Sequence, residues 1–250
     1  MSKGVLIFAH NNGIVDYIKL ATLSALYVRK HLKCPVSLVT DTETLSATTV
    51  SDIFDKIIIS SPNLDNFRTL NGIDQPFIND TRLQAWSLTP YETTLVIDAD
   101  YIVLSSKLSE YWDLEDSFMM AEGVVDFLNI GQPKISDKTF QLKWATTLMF
   151  KKDDIAKRVF EAASHVRENY LFYSDLYNFS TSNYRNDYAF TIAEHIVYGL
   201  SQDKLSLPKI LFLDKPEDEL LYVSDDTVWF KHNNTAIKIK PIENKTKIIE

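Results

Sequence analysis

Three short apolar runs, Val5 to Ala9, Val36 to Val39 and Ile57 to Ile59, set the rhythm of the N-terminal part of the chain. Between the first two, Ile14, Ile18, Ala21, Ala25, Val28 and Leu32 recur at alternating steps of four and three, the spacing of one buried helix face. Asp16 falls in the first turn of that helix and Arg29, Lys30, His31 and Lys33 in the last, as the helix dipole favours, and Pro35 closes it. Strand, helix, strand, short helix, strand is the alternation of a parallel sheet with helices on its faces. Each run ends in polar residues: His10-Asn11-Asn12-Gly13, Thr40-Asp41 and Ser60-Ser61-Pro62-Asn63. In a parallel sheet those clusters share one rim, and the carboxyl ends of the strands are where open α/β sheets bind ligands.

A fourth run, Leu95-Val96-Ile97, has the β-branched bias of a buried strand and leads into Asp98-Ala99-Asp100. In extended chain, residues two apart point to the same face, so both carboxylates are expected to leave the strand on one side. Like charges so placed call for a cation between them. Hard divalent ions such as Mg2+ and Mn2+ take carboxylate oxygens and keep sites for phosphate. The bland alternative for such a triplet is one carboxylate capping a turn and the other pairing with a lysine.

Other candidates are weaker when taken singly. His232 follows a strand-like V-W-F-K segment, and imidazole suits Mn2+ better than Mg2+; alone it reads as a solvated histidine. Lys238 is a point charge for phosphate or an ordinary tail lysine. Arg82 is either a surface helix arginine or a guanidinium reaching a phosphate or sugar oxygen. Asp187 either caps the helix expected from Asp187 to Leu200 or holds a sugar hydroxyl near a reacting carbon. The aromatics from Tyr170 to Tyr188 read first as core or lid packing.

Elsewhere the pattern gives a loop from Asn63 to Asn79, a short helix from Arg82 to Leu88, and a helical turn or two from Leu108 to Leu114. Strands are expected at Phe118 to Ala121, Thr146 to Phe150, Ile210 to Leu213 and Val228 to Phe230. Asp153 caps a helix with Ile155, Val159, Ala162, Val166 and Tyr170 on its face. Val124 to Thr139 reads as irregular and Lys231 to Glu250 as a polar tail with weak alternation.

Absences narrow the chemistry. Neither a Walker-type loop nor a G-x-G-x-x-G follows the first strand, and the chain has 6 glycines, so phosphate handling falls to a metal and cationic side chains. No nucleophile elbow, H-E-x-x-H or zinc spacing occurs. The net charge of −8 disfavours broad nucleic-acid binding, which needs Lys and Arg to neutralise phosphates. A single cysteine, Cys34, allows no internal disulfide and is expected as a buried small hydrophobe. The apolar N-terminal run is too short to span a membrane and lacks a signal-peptide cleavage site, so a reducing, cytoplasmic setting is expected.

The order of these features resembles that of GT-A-fold glycosyltransferases, most of all the glycogenin and galactosyltransferase group with a D-x-D motif. Phe8-Ala9-His10-Asn11, with Tyr17 in the helix behind, resembles the family's nucleotide-holding end of the first strand. Arg82 matches a basic residue about one helix before the motif. Ile97-Asp98-Ala99-Asp100 matches the motif, and Tyr111-Trp112-Asp113 the aromatic–Trp–Asp end of the short helix after it. His232 and Lys238 keep the spacing of a metal-binding His and a phosphate-binding Lys. Ala145-Thr146-Thr147 stands where the family has Asn-Ser-Gly, and Asp187-Tyr188 echoes its Asp-Gln pair beside the reacting sugar.

The resemblance implies one GT-A, Rossmann-like α/β domain over residues 1–250. Its mostly parallel sheet would be flanked by helices, with 1–104 as the nucleotide-sugar half and 105–250 as the acceptor half carrying the C-terminal metal and phosphate segment. It implies transfer of a sugar from a nucleoside diphosphate sugar, UDP foremost, with retention. Asp98, Asp100 and His232 would hold Mn2+ or Mg2+. His10, Asn11, Tyr17, Asp41, Arg82, Asp98, Ala99 and Lys238 would hold the donor, and Asp187 and Arg82 would serve catalysis. The acceptor is open between a saccharide and a modified DNA base, as is a homodimer. The rival readings are nucleotidyl transfer, which also uses paired carboxylates and metal, and a nucleotide-sugar-binding module without turnover.

Overall fold

Val5, Leu6 and Ile7 have no exposed surface, and the strand that holds them, β1 (Lys3–Phe8), is the one on which the sheet is assembled. The structure is a computed structural model and describes residues 2–62, 67–70, 73–76, 78–126, 141–179, 183–199, 204–212, 219–223, 228–232 and 235–239. In chain order, β1 is followed by α1 (Tyr17–Leu32), β2 (Val36–Thr40), α2 (Thr42–Ala47), β3 (Lys56–Ile59), β4 (Phe67–Leu70) and β5 (Ile73–Pro76). A 3-10 helix (Ile78–Gln84) runs into α3 (Ala85–Leu88), then β6 (Thr93–Asp98), a second 3-10 helix (Ser106–Tyr111), β7 (Phe118–Ala121), β8 (Val124–Asp126) and β9 (Trp144–Lys151). The rest is α4 (Asp154–Glu168), α5 (Tyr170–Tyr177), α6 (Asn186–Tyr198), β10 (Ile210–Phe212), β11 (Glu219–Val223), β12 (Val228–His232) and β13 (Thr235–Ile239).

The main sheet has six strands in the order β3-β2-β1-β6-β9-β7. The first four are mutually parallel, while β9 runs antiparallel to both β6 and β7. It is a mixed, mostly parallel α/β sheet of Rossmann-like type. Parallel strands need both faces covered, and the alternation in β1 shows how this is met. Val5 and Ile7 pack with Ile18, Ala21, Ala25 and Val28 of α1; Leu6 and Phe8 pack with Val159 and Phe160 of α4 and Phe190 of α6. Each such large apolar side chain, fully buried, stabilises by roughly 1.5–3 kcal/mol relative to exposure. Cys34 joins the first of these cores, and burial pushes its thiol up to about 11, so it behaves as a hydrophobe.

The helix ends follow from their sequences. The Asp16 side chain accepts the N–H of Lys19 to start α1, and Lys33 ends it in the left-handed region at φ 51°, its N–H donating to the Val28 carbonyl. Asp153 accepts the N–H of Ala156 to start α4. Gly4 is required by a close approach: any Cβ there would overlap the ring of Tyr91, whose hydroxyl meets Ser37 at 2.6 Å.

Several expectations change. The stretch expected as a loop from Asn63 to Asn79 contains an antiparallel pair, β4 and β5. Tyr170, expected on the face of α4, opens the separate helix α5; the aromatics do pack as core, with Tyr170, Tyr173, Phe179 and Tyr184 building a third core with α6. The tail after Lys231 continues as β12 and β13, which pair antiparallel. Asp187 does not cap its helix. Arg185 occupies the cap and makes no side-chain capping hydrogen bond, and Asp187 lies buried in the first turn. Propensity favoured Asp at the cap, but its carboxylate has stronger partners inside the fold. Most of the irregular stretch from Val124 to Thr139 lies outside the described residues, β8 apart.

Candidate functional site

Because β1, β2 and β6 are parallel neighbours, the residues after them meet on one rim. His10 and Asn11 follow β1, Asp41 follows β2, and Asp98 ends β6, beside Phe8 in register.

The Asp98–Asp100 geometry differs from the extended one expected. β6 ends at Asp98, and a turn follows in which the Asp98 carbonyl accepts the N–H of Tyr101 at 3.1 Å. The intervening Ala99 is buried, and its carbonyl accepts the hydroxyl of Ser24, a fully buried α1 residue, at 2.7 Å. The helix behind the sheet thus pins the peptide between the two carboxylates. A turn, not strand alternation, keeps the acids together.

Their electrostatics remain those of a like-charge pair. Although Asp100 is exposed as a residue, crowding around its carboxyl raises its pKa above the ordinary carboxylate value. Asp98's negative charge adds to this, and the Arg82 cation partly opposes it. Arg82, on the 3-10 helix, is 2% exposed and among the largest fully buried side chains. Its Nη2 donates to Oδ1 of Asp98 and its Nη1 to the carbonyl of Ala145 in β9. Arg82 is therefore no surface arginine. One guanidinium thus faces two carboxyl groups. Two oxygen-donor groups at a sheet rim fit a hard divalent cation. Among the described residues, no three His, Cys, Asp or Glu side chains come together as a fuller metal cage.

The nucleoside-side candidates His10, Asn11 and Asp41 each have hydrogen-bond partners on the rim. His10 is buried, and its Nε2 meets Oγ of Ser60 at 3.2 Å. Burial lowers its pKa, and the nearby Asp41 charge only partly offsets this, so the imidazole is neutral at pH 7. Asp41 caps α2: one oxygen accepts the N–H of Thr44 at 2.7 Å and the other its hydroxyl at 3.1 Å. The backbone N–H of Asn11 donates to that same Thr44 hydroxyl at 3.0 Å. Asn11's amide donates to Thr48 at 3.0 Å and accepts the N–H of Ile18 at 3.3 Å. Tyr17 opens α1 and packs half-buried on the first core. Asn11 and Asp41 thus shape the rim while already engaged with the protein.

Asp187 accepts the N–H of Ala145 at 2.8 Å on Oδ1 and the guanidinium of Arg185 at 2.8 Å on Oδ2. His232 ends β12 opposite Thr235, and Lys238 pairs with Trp229 in the same ladder. Their side chains lie outside what the structure describes. Ser60, Thr44, Ser24, Ala145 and Arg185 were not singled out as site residues. Two of them carry a sequence signal: Ser60 is one of the polar residues that end the third strand, and Ala145 stands at the family's Asn-Ser-Gly position.

The fold is of the mixed, mostly parallel α/β class, and solved glycosyltransferases of GT-A type are similar to it in structure. The galactosyltransferase LgtC, solved in complex with donor and acceptor sugar analogs, is similar with a TM-score of 0.50 and 14% identity over 76% of this chain and 69% of that one. An active-site mutant of LgtC gives a TM-score of 0.51 with 13% identity over the same shares. The glycosyltransferase GlyE of Streptococcus pneumoniae TIGR4 is more distant, with a TM-score of 0.43 and 12% identity over 85% of this chain and 45% of that one. Neither a protein-family model nor a curated protein sequence matches the chain. At these identities the likeness establishes the fold. Among the described residues, no helix is long and apolar enough to cross a membrane.

Proposed function

We propose that this chain is a metal-dependent glycosyltransferase that takes a sugar from a nucleoside diphosphate, with UDP the first candidate, and passes it to an acceptor. The observation that carries this reading is the Asp98–Asp100 pair at the carboxyl end of β6. The two acids are held in one turn, beside the buried His10 that follows β1. A Mn2+ or Mg2+ ion bound to that pair supplies Lewis-acid stabilisation of charge on a departing diphosphate. His10 and Ser60 offer a neutral polar surface at the rim for a nucleoside. The fold shared with LgtC supports the substrate class, and the resemblance of the motifs supports retention. His232 and Lys238 belong to this proposal as a third metal ligand and a phosphate contact. The net charge of −8 favours a saccharide acceptor over DNA.

The test is a thermal-shift panel of nucleotide-sugars with and without Mn2+. A selective ligand at a hundredfold its Kd stabilises by about 2.7 kcal/mol through mass action. We expect a UDP-sugar to raise the melting temperature only with Mn2+, and Asp100→Asn to remove that shift. An undiminished shift in the variant would discard the site as drawn. Release of diphosphate with sugar transfer, rather than of pyrophosphate, separates this activity from nucleotidyl transfer, and no release at all marks a binding module.

A further inference from the structure

Asp187, a candidate for the reacting-sugar side, has contacts within the fold that lead toward the Asp98–Asp100 pair. Oδ1 accepts the Ala145 N–H, and Oδ2 accepts Nη2 and Nε of Arg185 at 2.8 and 3.2 Å. The carbonyl of the same Ala145 accepts Nη1 of Arg82, whose Nη2 donates to Asp98. One path of hydrogen bonds therefore runs from the first turn of α6, through a residue of β9 and the 3-10 helix, to the end of β6. Ala145 is 1% exposed and Arg82 2%, so water cannot take the place of either partner along the way. A guanidinium is a rigid planar fork. With one terminal nitrogen held by the Ala145 carbonyl, the direction in which the other presents itself to Asp98 is set. A second tie holds the fork's base. Arg167 of α4 grips Asp80, two residues before Arg82, through Nε at 3.1 Å and Nη2 at 2.9 Å.

We propose that Asp187 is a positioning residue. Through Ala145 and the Arg82 guanidinium it orients the Asp98 carboxylate, and so tunes the cation affinity of the Asp98–Asp100 pair. This rests on the reading of that pair as a cation site. The geometry separates two side-chain replacements. Asp187→Asn keeps an oxygen that can accept the Ala145 N–H; Asp187→Ala leaves that N–H without its acceptor and loosens the start of β9.

The experiment is Mn2+ titration of the full chain without donor, followed by the paramagnetic resonance of free Mn2+, alongside a melting curve for each variant. The expected result is that Asp187→Ala weakens Mn2+ binding about tenfold, while Asp187→Asn stays within about threefold of the parent. Arg82→Lys, a single point charge that cannot bridge both acceptors, should weaken it as Ala does. The double variant Asp187→Ala with Arg82→Lys should fall no further, because residues on one path couple non-additively. Unchanged Mn2+ affinity in Asp187→Ala, or an Asn variant as weak as Ala, overturns the proposal. So does an Asn variant that binds Mn2+ like the parent and turns over no donor, which would make Asp187 a catalytic residue. If the parent binds no Mn2+, it is the cation site itself that fails, and that outcome is distinct.

Discussion

The imidazole of His10 meets the hydroxyl of Ser60 at 3.2 Å, joining the second residue after β1 to the first after β3 across the intervening β2. Burial holds the His10 pKa below 6.5 in the folded chain, with Asp41 opposing. The unfolded chain therefore binds the proton first as pH falls, and stability should decline on acidification through the window just below pH 6.5. Urea unfolding at pH 7.5 and 5.5 should show this loss, and His10→Gln should reduce it. An equal pH dependence in both proteins would remove His10 as the cause.

A second pH effect lies at the other edge of the sheet. Lys204 is ion-paired with Glu194 of α6, which Lys143 also contacts at 2.8 Å, and its ammonium lies 3.5 Å from the centroid of the Tyr198 ring. Burial dominates over the Glu194 charge and lowers the Lys204 pKa from 10.5 to about 8. Between those values the unfolded chain binds more protons, so this lysine makes stability rise with pH, by at most about 1.4 kcal/mol per pH unit. Cys34, raised to about 11, acts in the opposite sense once thiols of the unfolded chain ionise near pH 9. The comparison is therefore with Lys204→Met: between pH 8 and 9 the parent should gain stability relative to the variant. A constant difference would dismiss the effect.

Arg82 should be among the least replaceable residues for folding. Arg82→Met removes the charge opposite Asp98 and the donor to the Ala145 carbonyl. The loss should be about 2 kcal/mol, below the roughly 3–5 kcal/mol of a fully buried pair, because Asp98 keeps some solvent contact. Adding Asp98→Asn should recover part of it, since the orphaned charge goes with it. Denaturant midpoints of the single and double variants measure this.

Gly4→Ala offers a test of the sheet's packing that is independent of the site. A methyl group at Gly4 collides with the Tyr91 ring, and overpacking of this kind costs about 1–3 kcal/mol. Tyr91→Phe in the Ala background should not relieve it, because the clash is with ring carbons. Tyr91→Leu should.

Local rules carried much of the architecture. The three-four spacing of α1 from Ile18 on, the apolar runs of β1, β2 and β6, and the capping by Asp153 depend on neighbours in the chain, and the fold meets them. At the helix starts the pattern runs too far: Ile14 lies exposed before α1, Asp16 caps that helix instead of sitting in its first turn, and Ile155 is exposed on α4. The same rules brought His10, Asp41 and Asp98 to one rim, because parallel neighbours end on the same side. They failed where the deciding partner is distant. Asp187 has the composition of a helix cap, yet the N–H it takes belongs to Ala145. Arg82 has the look of a surface residue, yet its partners lie on β6 and β9.

What the sequence by itself determined is the menu: which stretches are strands, which helix faces are apolar, and which carboxylates end up on the rim. What only the tertiary structure decided is how those acids are held. The Ser24–Ala99 bond that pins the turn and the Arg82 fork that turns Asp98 link residues separated by 75 and 16 positions. A hydrogen bond acts over about 3 Å, so its existence depends on where folding brings its ends, and no local pattern encodes that.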